Sequence, residues 1–360
     1  MPQADTFKIL TYNTLHGLQV GRFWVRPGEM LEQQLARFDL RVDQLAEAQP
    51  DLALLQEVNP LPHMAERYVE ALQTRGLHYS QVHQVDACGL RLPGVALLKD
   101  LNNGLVILAK APLRLRQLEG LKLSGTGGCH DQVGWQLGEL RYALIAEVIS
   151  PATQAKYLVS TAHLHSGIER DMYVLHALMD AHQQGLLQHY DHLMAALNED
   201  EDLRLRELHT WIKALHRYQE NGPYTGLIIG GDFNFEPGSP EYRELERFGL
   251  QDTAALAPEM PMLNTYDPMQ NPLASHEEQE LPSALDLAIA NESVADRQEI
   301  IADYRRAIGQ ARRIDFLFSM AFMSKACLKQ ALFGQEVSGG RLAGSDHYGV
   351  INTYSYHVPC

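Results

Sequence analysis

Short apolar runs rich in Val, Ile, Leu and Tyr recur from one end of the chain to the other, at 7–13, 51–58, 104–110, 142–150, 156–165, 226–233, 313–319 and 348–356. Each is the length of a strand, and most lack the clean polar alternation of a half-solvated sheet, so the pattern predicts strands that are largely buried. Between the first two, Leu31, Leu35, Phe38, Val42 and Leu45 fall at near-helical spacing. They predict an amphipathic helix over 29–48, stopped by Pro50. A second helix is expected over 62–75, with Gly76 near its C-cap. Beyond Gly167 a long polar stretch reaches about Glu220 and carries the acidic run Glu199-Asp200-Glu201-Asp202. It reads as helices joined by a solvated turn, an insertion at 168–222 within a single domain spanning 1–360.

Two connections are longer than a simple link needs. One runs from His16 to Gly28 and carries Phe23 and Trp24 between Arg22 and Arg26; the other runs from Gln84 to Gly104 and carries Leu90, Leu92, Leu97 and Leu98. Either can border a groove, and either can simply pack over the core.

Composition adds limits. At 360 residues and 45% hydrophobic, the chain can bury a sizeable core without low-complexity tracts or repeats. A net charge of −15 opposes non-specific attraction to nucleic acid or anionic membranes. It does not exclude a phosphate substrate, because a cation bound among acidic ligands reverses the local field. Cys88, Cys129, Cys327 and Cys360 show no zinc spacing, so free thiols are expected. The first residues lack a signal-peptide pattern and no apolar run could span a bilayer, which together predict a cytoplasmic protein.

The candidate chemistry sits where predicted strands end. Ile228-Ile229-Gly230-Gly231-Asp232-Phe233-Asn234 runs from an apolar strand into two polar groups that alternation places on one face. Ser239 and Pro240 then suit the N-cap and first position of a helix. Taken alone, Asp232 and Asn234 are equally what a turn would use. Leu55-Gln56-Glu57 ends a strand in a carboxylate, a hard oxygen ligand suited to Mg²⁺, and Asn13 ends the first strand similarly. His163 and His165, two residues apart, share a strand face. Asp315 lies inside the apolar run Ile314-Asp315-Phe316-Leu317, where burial demands a cation or a donor. Ser345-Asp346-His347 precedes the last strand and offers an imidazole that a hydrogen-bonded carboxylate could tune. His176, His182, His189 and His192 share no convincing ligand face and read as surface helix residues.

Tyr12-Asn13, Gln56-Glu57, Thr161-Ala162-His163-Leu164, Gly231-Asp232-Phe233-Asn234, Ile314-Asp315 and Ser345-Asp346-His347, in this order, resemble the motifs of the endonuclease/exonuclease/phosphatase superfamily. The resemblance runs from Phe7 to about Thr353. It implies an α/β (α+β) fold, a four-layer sandwich of two mainly antiparallel sheets flanked by helices, as in deoxyribonuclease I. The βα alternation by itself favours a doubly wound sheet. The resemblance further implies a phosphodiesterase dependent on Mg²⁺, with Mn²⁺ as a possible substitute. In it Glu57 is the principal metal ligand, with Asn13 beside the metal or on the phosphate, and Asp346 takes a metal or supports the site. Asp232 and Asn234 orient the attacking water. His347, paired with Asp315, acts as base or stabilises phosphoryl charge, and His163 and His165 meet the substrate.

Leu15 stands where abasic-site endonucleases of the family carry a second acid, and Asn234-Phe235-Glu236 departs from the continuation of the inositol phosphatases. Both branches recede. The expected substrate is a nucleic acid or a phospholipid such as sphingomyelin; the alternatives are a phosphomonoesterase and a catalytically silent binding module on the same fold.

Overall fold

In this computed structural model the described residues are 4–15, 31–87, 102–129, 134–166, 179, 182–185, 190–254, 264–271, 273–274, 293–295, 297–298, 301–302, 311–320, 327–334 and 343–357. The apolar and basic residues of the two long connections, Arg22 to Arg26 and Leu90 to Leu98, lie outside them, as do His176 and His189.

Among the described residues twelve strands form two six-stranded sheets. The first has the order β11 (Cys327–Phe333), β12 (Gly349–His357), β1 (Ala4–Asn13), β2 (Leu52–Val58), β4 (Asn103–Lys110), β3 (Tyr79–Ala87). The second has the order β5 (Arg114–Cys129), β6 (Gly134–Ile149), β7 (Lys156–His163), β8 (Tyr224–Asp232), β10 (Asp315–Met320), β9 (Leu250–Asp252). All neighbours pair antiparallel except β1 with β2 and β7 with β8. A parallel pair needs a crossover, and each is supplied by a helix: α1 (Leu31–Ala48) in the first sheet and α3 (Tyr190–Asn221) in the second. With α2 (His63–Gln73) and α4 (Pro240–Arg247) they cover the outer faces, giving four layers and excluding the doubly wound sheet.

The sheets face each other through Phe7, Ile9, Leu52, Leu54, Ile107, Leu144, Val148, Tyr157, Val159, Ile228, Leu317 and Val350, all buried. Successive side chains of a strand alternate faces, so on each central strand every second residue faces this interior. Along those inner faces the residues turn polar toward one end. Phe7 and Ile9 give way to Thr11 and Asn13, Leu52 and Leu54 to Gln56, Tyr157 and Val159 to Thr161 and His163, and Ile228 and Gly230 to Asp232. Gln56 bridges the sheets at the turnover, its Nε2 donating to Thr161 Oγ1 at 2.8 Å and to Thr11 Oγ1 at 3.2 Å. Gly230 is required by close approach, since a Cβ there would lie 2.6 Å from Leu317 Cδ2 and 2.9 Å from Leu54 Cδ1 across the interface.

The structure revises several sequence expectations. The acidic run at 199–202 is helical within α3, and no solvated turn divides it. Nothing between 190 and 221 is Gly or Pro, and Leu208, Trp211, Ile212 and Leu215 give one continuous buried stripe against the second sheet. The strands β3, β5, β9 and β11 escaped the apolar pattern; β5, for example, is half-exposed along most of its length and carries Arg114, Arg116, Glu119 and Lys122. Cys129 forms a disulfide, so the expectation of free thiols fails there. The expected caps are in place: Ser239 accepts from the Tyr242 amide with Pro240 at the first position, and Gly76, at φ +76°, closes the end of α2.

Candidate active site

The polar ends of β1, β2, β7, β8 and β10 meet at the edge of the two-sheet interior. Asn13 Nδ2 donates to Glu57 Oε1 at 3.1 Å and to Asp232 Oδ2 at 2.9 Å, linking a carboxylate of each sheet through one amide. His163 lies between the same two acids, its Nδ1 3.8 Å from Glu57 Oε1 and its Nε2 3.6 Å from Asp232 Oδ2. His347 Nδ1 lies 2.8 Å from Asp315 Oδ2, and its Nε2 points back to Asp232 Oδ2 at 3.7 Å. Six of the residues singled out in the sequence therefore converge: Asn13, Glu57, His163, Asp232, Asp315 and His347.

Local backbone explains how they are aimed. Gln56 and Glu57 are consecutive and would face opposite sides of a regular strand. The register of β2 against β4 shifts between Leu55 and Val58, and Glu57 sits at φ +55°. This bulge turns its carboxylate to the side Gln56 serves. Leu15 at φ +48° and Asn234 at φ +50° are the other positive-φ residues beside the cluster. Such conformations cost of order 1–3 kcal/mol each and persist where surrounding contacts enforce them. Leu15 donates its amide to Asn13 Oδ1, and Asn234 donates its amide to Asp232 Oδ1 and its side-chain Nδ2 to the Leu164 carbonyl. Asn234 thereby holds Asp232 and the strand end that carries His163.

Two expected residues stand apart from the cluster. The His165 ring is engaged with Asp200 on α3, Nε2 to Oδ1 at 2.8 Å, and its main-chain amide donates to Glu207 Oε2. Asp346 is half-buried and accepts from the Ser345 hydroxyl at 3.1 Å. Sequence reading missed the segment 264–271, which lacked an apolar run. Thr265 Oγ1 accepts from the amides of both Ile314 and Asp315, and its carbonyl accepts from Tyr348 at 2.6 Å. Asn271 Nδ2 holds the Ser345 carbonyl, and the Tyr266 ring stands edge-on to His347 at 5.3 Å. This segment brackets the Asp315–His347 pair.

The electrostatics follow from burial. Asp232 is buried, and its desolvation raises the carboxyl to about 7 against the pull of His347, with Asp315 adding to the rise. For His347 burial acts downward, and the carboxylates of Asp315, Asp232 and Asp346 outweigh it, so its pKa stands well above the ordinary 6.5. Asp232, Asp315 and His347 offer ligand atoms within 4.8 Å of one another. Glu57 is joined to Asp232 through the Asn13 amide and adds a hard carboxylate oxygen beside that group, a donor type that fits a divalent cation.

A family model described as the endonuclease/exonuclease/phosphatase family matches residues 10–347. Among solved structures, an endonuclease/exonuclease/phosphatase from Bacteroides vulgatus superposes with a TM-score of 0.58 at 14% identity, covering 98% of this chain and 100% of that one. Truncated TDP2 of Caenorhabditis elegans gives 0.57 at 14% identity, covering 97% of both chains. D. rerio TDP2, complexed with a single-strand DNA product, gives 0.55 at 17% identity, covering 97% of this chain and 98% of that one. No curated protein matches the sequence. At these identities the solved structures speak to the fold, and they agree with the two-sheet sandwich.

Proposed function

Because the chain belongs to the endonuclease/exonuclease/phosphatase family, we propose that it is a divalent-metal-dependent phosphodiesterase that hydrolyses a nucleic-acid phosphodiester by direct attack of water. The observation that carries this is the Asn13 amide gripping Glu57 and Asp232 at once, beside the Asp315–His347 pair. Two carboxylates sharing one amide repel each other when ionised, and a cation beside them would offset that repulsion.

Glu57 would hold a Mg²⁺ or Mn²⁺ ion with Asn13 at its side, and Asp346 would support the site through its charge on His347. Bound there, the cation supplies neutralisation of the charge that develops on the phosphoryl oxygens. The chain's own groups do the rest. Asp232 Oδ2, facing the Asn13 amide and both imidazoles, accepts the proton of the attacking water, and a carboxyl raised toward neutrality by burial is suited to that task. Asn234 fixes the orientation of that carboxyl by donating its main-chain amide to Oδ1. His347, protonated and held by Asp315, donates to the phosphoryl oxygens, and His163 adds a second donor from the opposite side. His165 lines the same strand end, where its tie to Asp200 brings α3 against the site. We read the whole chain as one domain, with the insertion at 168–222 as its wall on that side.

Nucleic acid is preferred to a phospholipid because the D. rerio relative was captured with a DNA product. Among the described residues no helix is long and apolar enough to cross a membrane. The disulfide at Cys129 bears on the cytoplasmic placement expected from sequence, since such bonds persist in oxidising compartments, and it favours one of those.

The test is hydrolysis of matched DNA, RNA and sphingomyelin-vesicle substrates with Mg²⁺ or Mn²⁺, with chelator, His347→Ala and Asp232→Ala as controls. Cleavage of nucleic acid that chelator abolishes and each variant lowers by orders of magnitude is the expected outcome. Near-normal turnover in both variants would remove these residues from the mechanism. Cleavage confined to vesicles would replace the substrate class, and no cleavage at all would favour a silent binding module.

A further inference from the structure

The ladder that joins β1 to β12 stops at the pair Thr11–Val350. Beyond it the two segments turn to different partners. Thr14 donates its amide and hydroxyl to the Gln56 carbonyl on β2, whereas Tyr348 donates its amide to Thr265. Asn13 and His347, which must act on one phosphorus atom if the proposed function holds, are thus carried by chain segments that have parted. Arg41 of α1 spans the gap. Its Nη1 donates to the Thr14 carbonyl at 2.6 Å and to the Gly344 carbonyl at 3.0 Å, one residue beyond Asn13 and three before His347. Arg37, one turn earlier on the helix, reaches the same Gly344 carbonyl at 3.4 Å.

Three features set this apart from ordinary packing. Arg41 is fully buried, and a guanidinium is among the costliest groups to bury. Among the described residues it pairs with no carboxylate, and its Nη1 is used on two main-chain carbonyls. Gly344 is shaped to admit it, since a Cβ at that position would lie 2.9 Å from Arg41 Cγ and 2.8 Å from the Tyr12 hydroxyl. An aliphatic side chain could fill the same volume against α1 at lower cost, but it could not join two carbonyls.

We propose that Arg41 is a positioning residue for hydrolysis, replacing the missing ladder between β1 and β12 and so fixing the Asn13 end of the site relative to His347. It rests on the proposed phosphodiesterase reading. Its guanidinium is spent on the Thr14 and Gly344 main-chain carbonyls, so its loss falls on the geometry of the reacting groups rather than on binding.

The experiment compares Arg41→Met and Arg41→Lys with wild type on whichever ester of the panel wild type cleaves. A control, Leu45→Ala, removes a buried side chain from the same helix face. An error of about 1 Å in such geometry reduces turnover about 100-fold. Arg41→Met is therefore expected to lose kcat by that order with KM within about threefold, and Arg41→Lys, which can still reach one carbonyl, to recover part of it. Leu45→Ala should lower the melting temperature at least as much while keeping kcat. Equal kcat losses in Arg41→Met and Leu45→Ala, or a loss confined to KM, would overturn the proposal. Crystal structures of wild type and Arg41→Met decide the same point without any substrate: the Thr14–Gly344 separation should widen while the Thr11–Val350 pair stays in place, and an unchanged separation would overturn it. Failure of the phosphodiesterase reading shows instead as a wild-type protein inactive on every ester.

Discussion

Replacing Asp315 by Asn removes one negative charge and little else, which makes it the cleanest probe of the Asp315–His347 pair. The carboxylate is fully buried, and its Oδ2 lies 2.8 Å from His347 Nδ1. Two unit charges about 4 Å apart interact by about 4 kcal/mol at an effective dielectric of about 20. That attraction favours the charged imidazolium, so Asp315 holds the imidazole pKa up. Asp232 and Asp346 remain in the variant and keep part of the elevation. The expected outcome is a partial fall in the His347 pKa, read as the midpoint of its ring resonances in an NMR titration of metal-free protein. Turnover should drop by about 10²–10⁴, because the donor is charged over a narrower pH range and its ring is less firmly oriented. Linkage gives an independent sign. A histidine whose folded pKa exceeds its unfolded value contributes stability in full below about 6.5 and loses it as pH rises through the folded value. Wild type should thus exceed Asp315→Asn in stability by more at pH 6 than at pH 9 in urea unfolding. An unmoved His347 midpoint in the variant would refute the assignment of Asp315 as the source of the elevation.

Two further outcomes follow from the same geometry. Asp232, raised by burial to about 7 against an ordinary value near 3.8, binds a proton in the folded state that the unfolded chain has released, so its contribution to stability declines as pH rises between those values. A cation favours the ionised carboxylate, and added Mg²⁺ should therefore raise the melting temperature more at pH 8 than at pH 5; an equal rise at both would place the ion away from Asp232. Gly230→Ala drives a Cβ to 2.6 Å from Leu317 Cδ2 and 2.9 Å from Leu54 Cδ1. It should destabilise the fold by about 1–3 kcal/mol in urea unfolding, as overpacking does, and a neutral result would mean that the two sheets separate more readily than their packing implies.

What could be read from the sequence followed the range of the interaction concerned. Residues Asn13, Glu57, Asp232, Asp315 and His347 announce themselves because each interrupts or terminates an apolar strand, a local signal. The helices α1, α2 and α4 were legible for the same reason, down to the Ser239 cap. The devices that aim those side chains were not. The bulge at Glu57 arises from the register of β2 against β4, a pairing between residues about fifty positions apart. Thr265 acts through its neighbours on β10 and β12, and nothing in Asn264-Thr265-Tyr266 marks it. Arg41 looks like one more polar residue on an amphipathic helix until the fold brings Thr14 and Gly344 beside it. The acidic run at 199–202 misled because charge was read as a solvated break, whereas Asp200 is used at the His165 ring and the buried stripe further along α3 continues regardless. The sheet order was beyond reach as well, since a βα alternation is shared by parallel and mixed sheets alike and only the pairing partners separate them.

The position of the site is then a consequence of how the two sheets are filled. Along their apolar length the inner faces are held together by burial, and Gly230 allows them to approach closely. At the polar end that source of cohesion runs out just where Asn13, His163 and Asp232 begin. Among the described residues polar, directional contacts join the two sheets there: Gln56 to Thr161, then Asn13 to Asp232. Such contacts fix distances more narrowly than apolar packing does, because a hydrogen bond weakens steeply outside a small range of length and angle. They also leave carboxylates buried with incomplete compensation, which is the condition that raises Asp232 and makes a cation welcome. The most reactive groups therefore sit where the apolar faces end early on the same central strands.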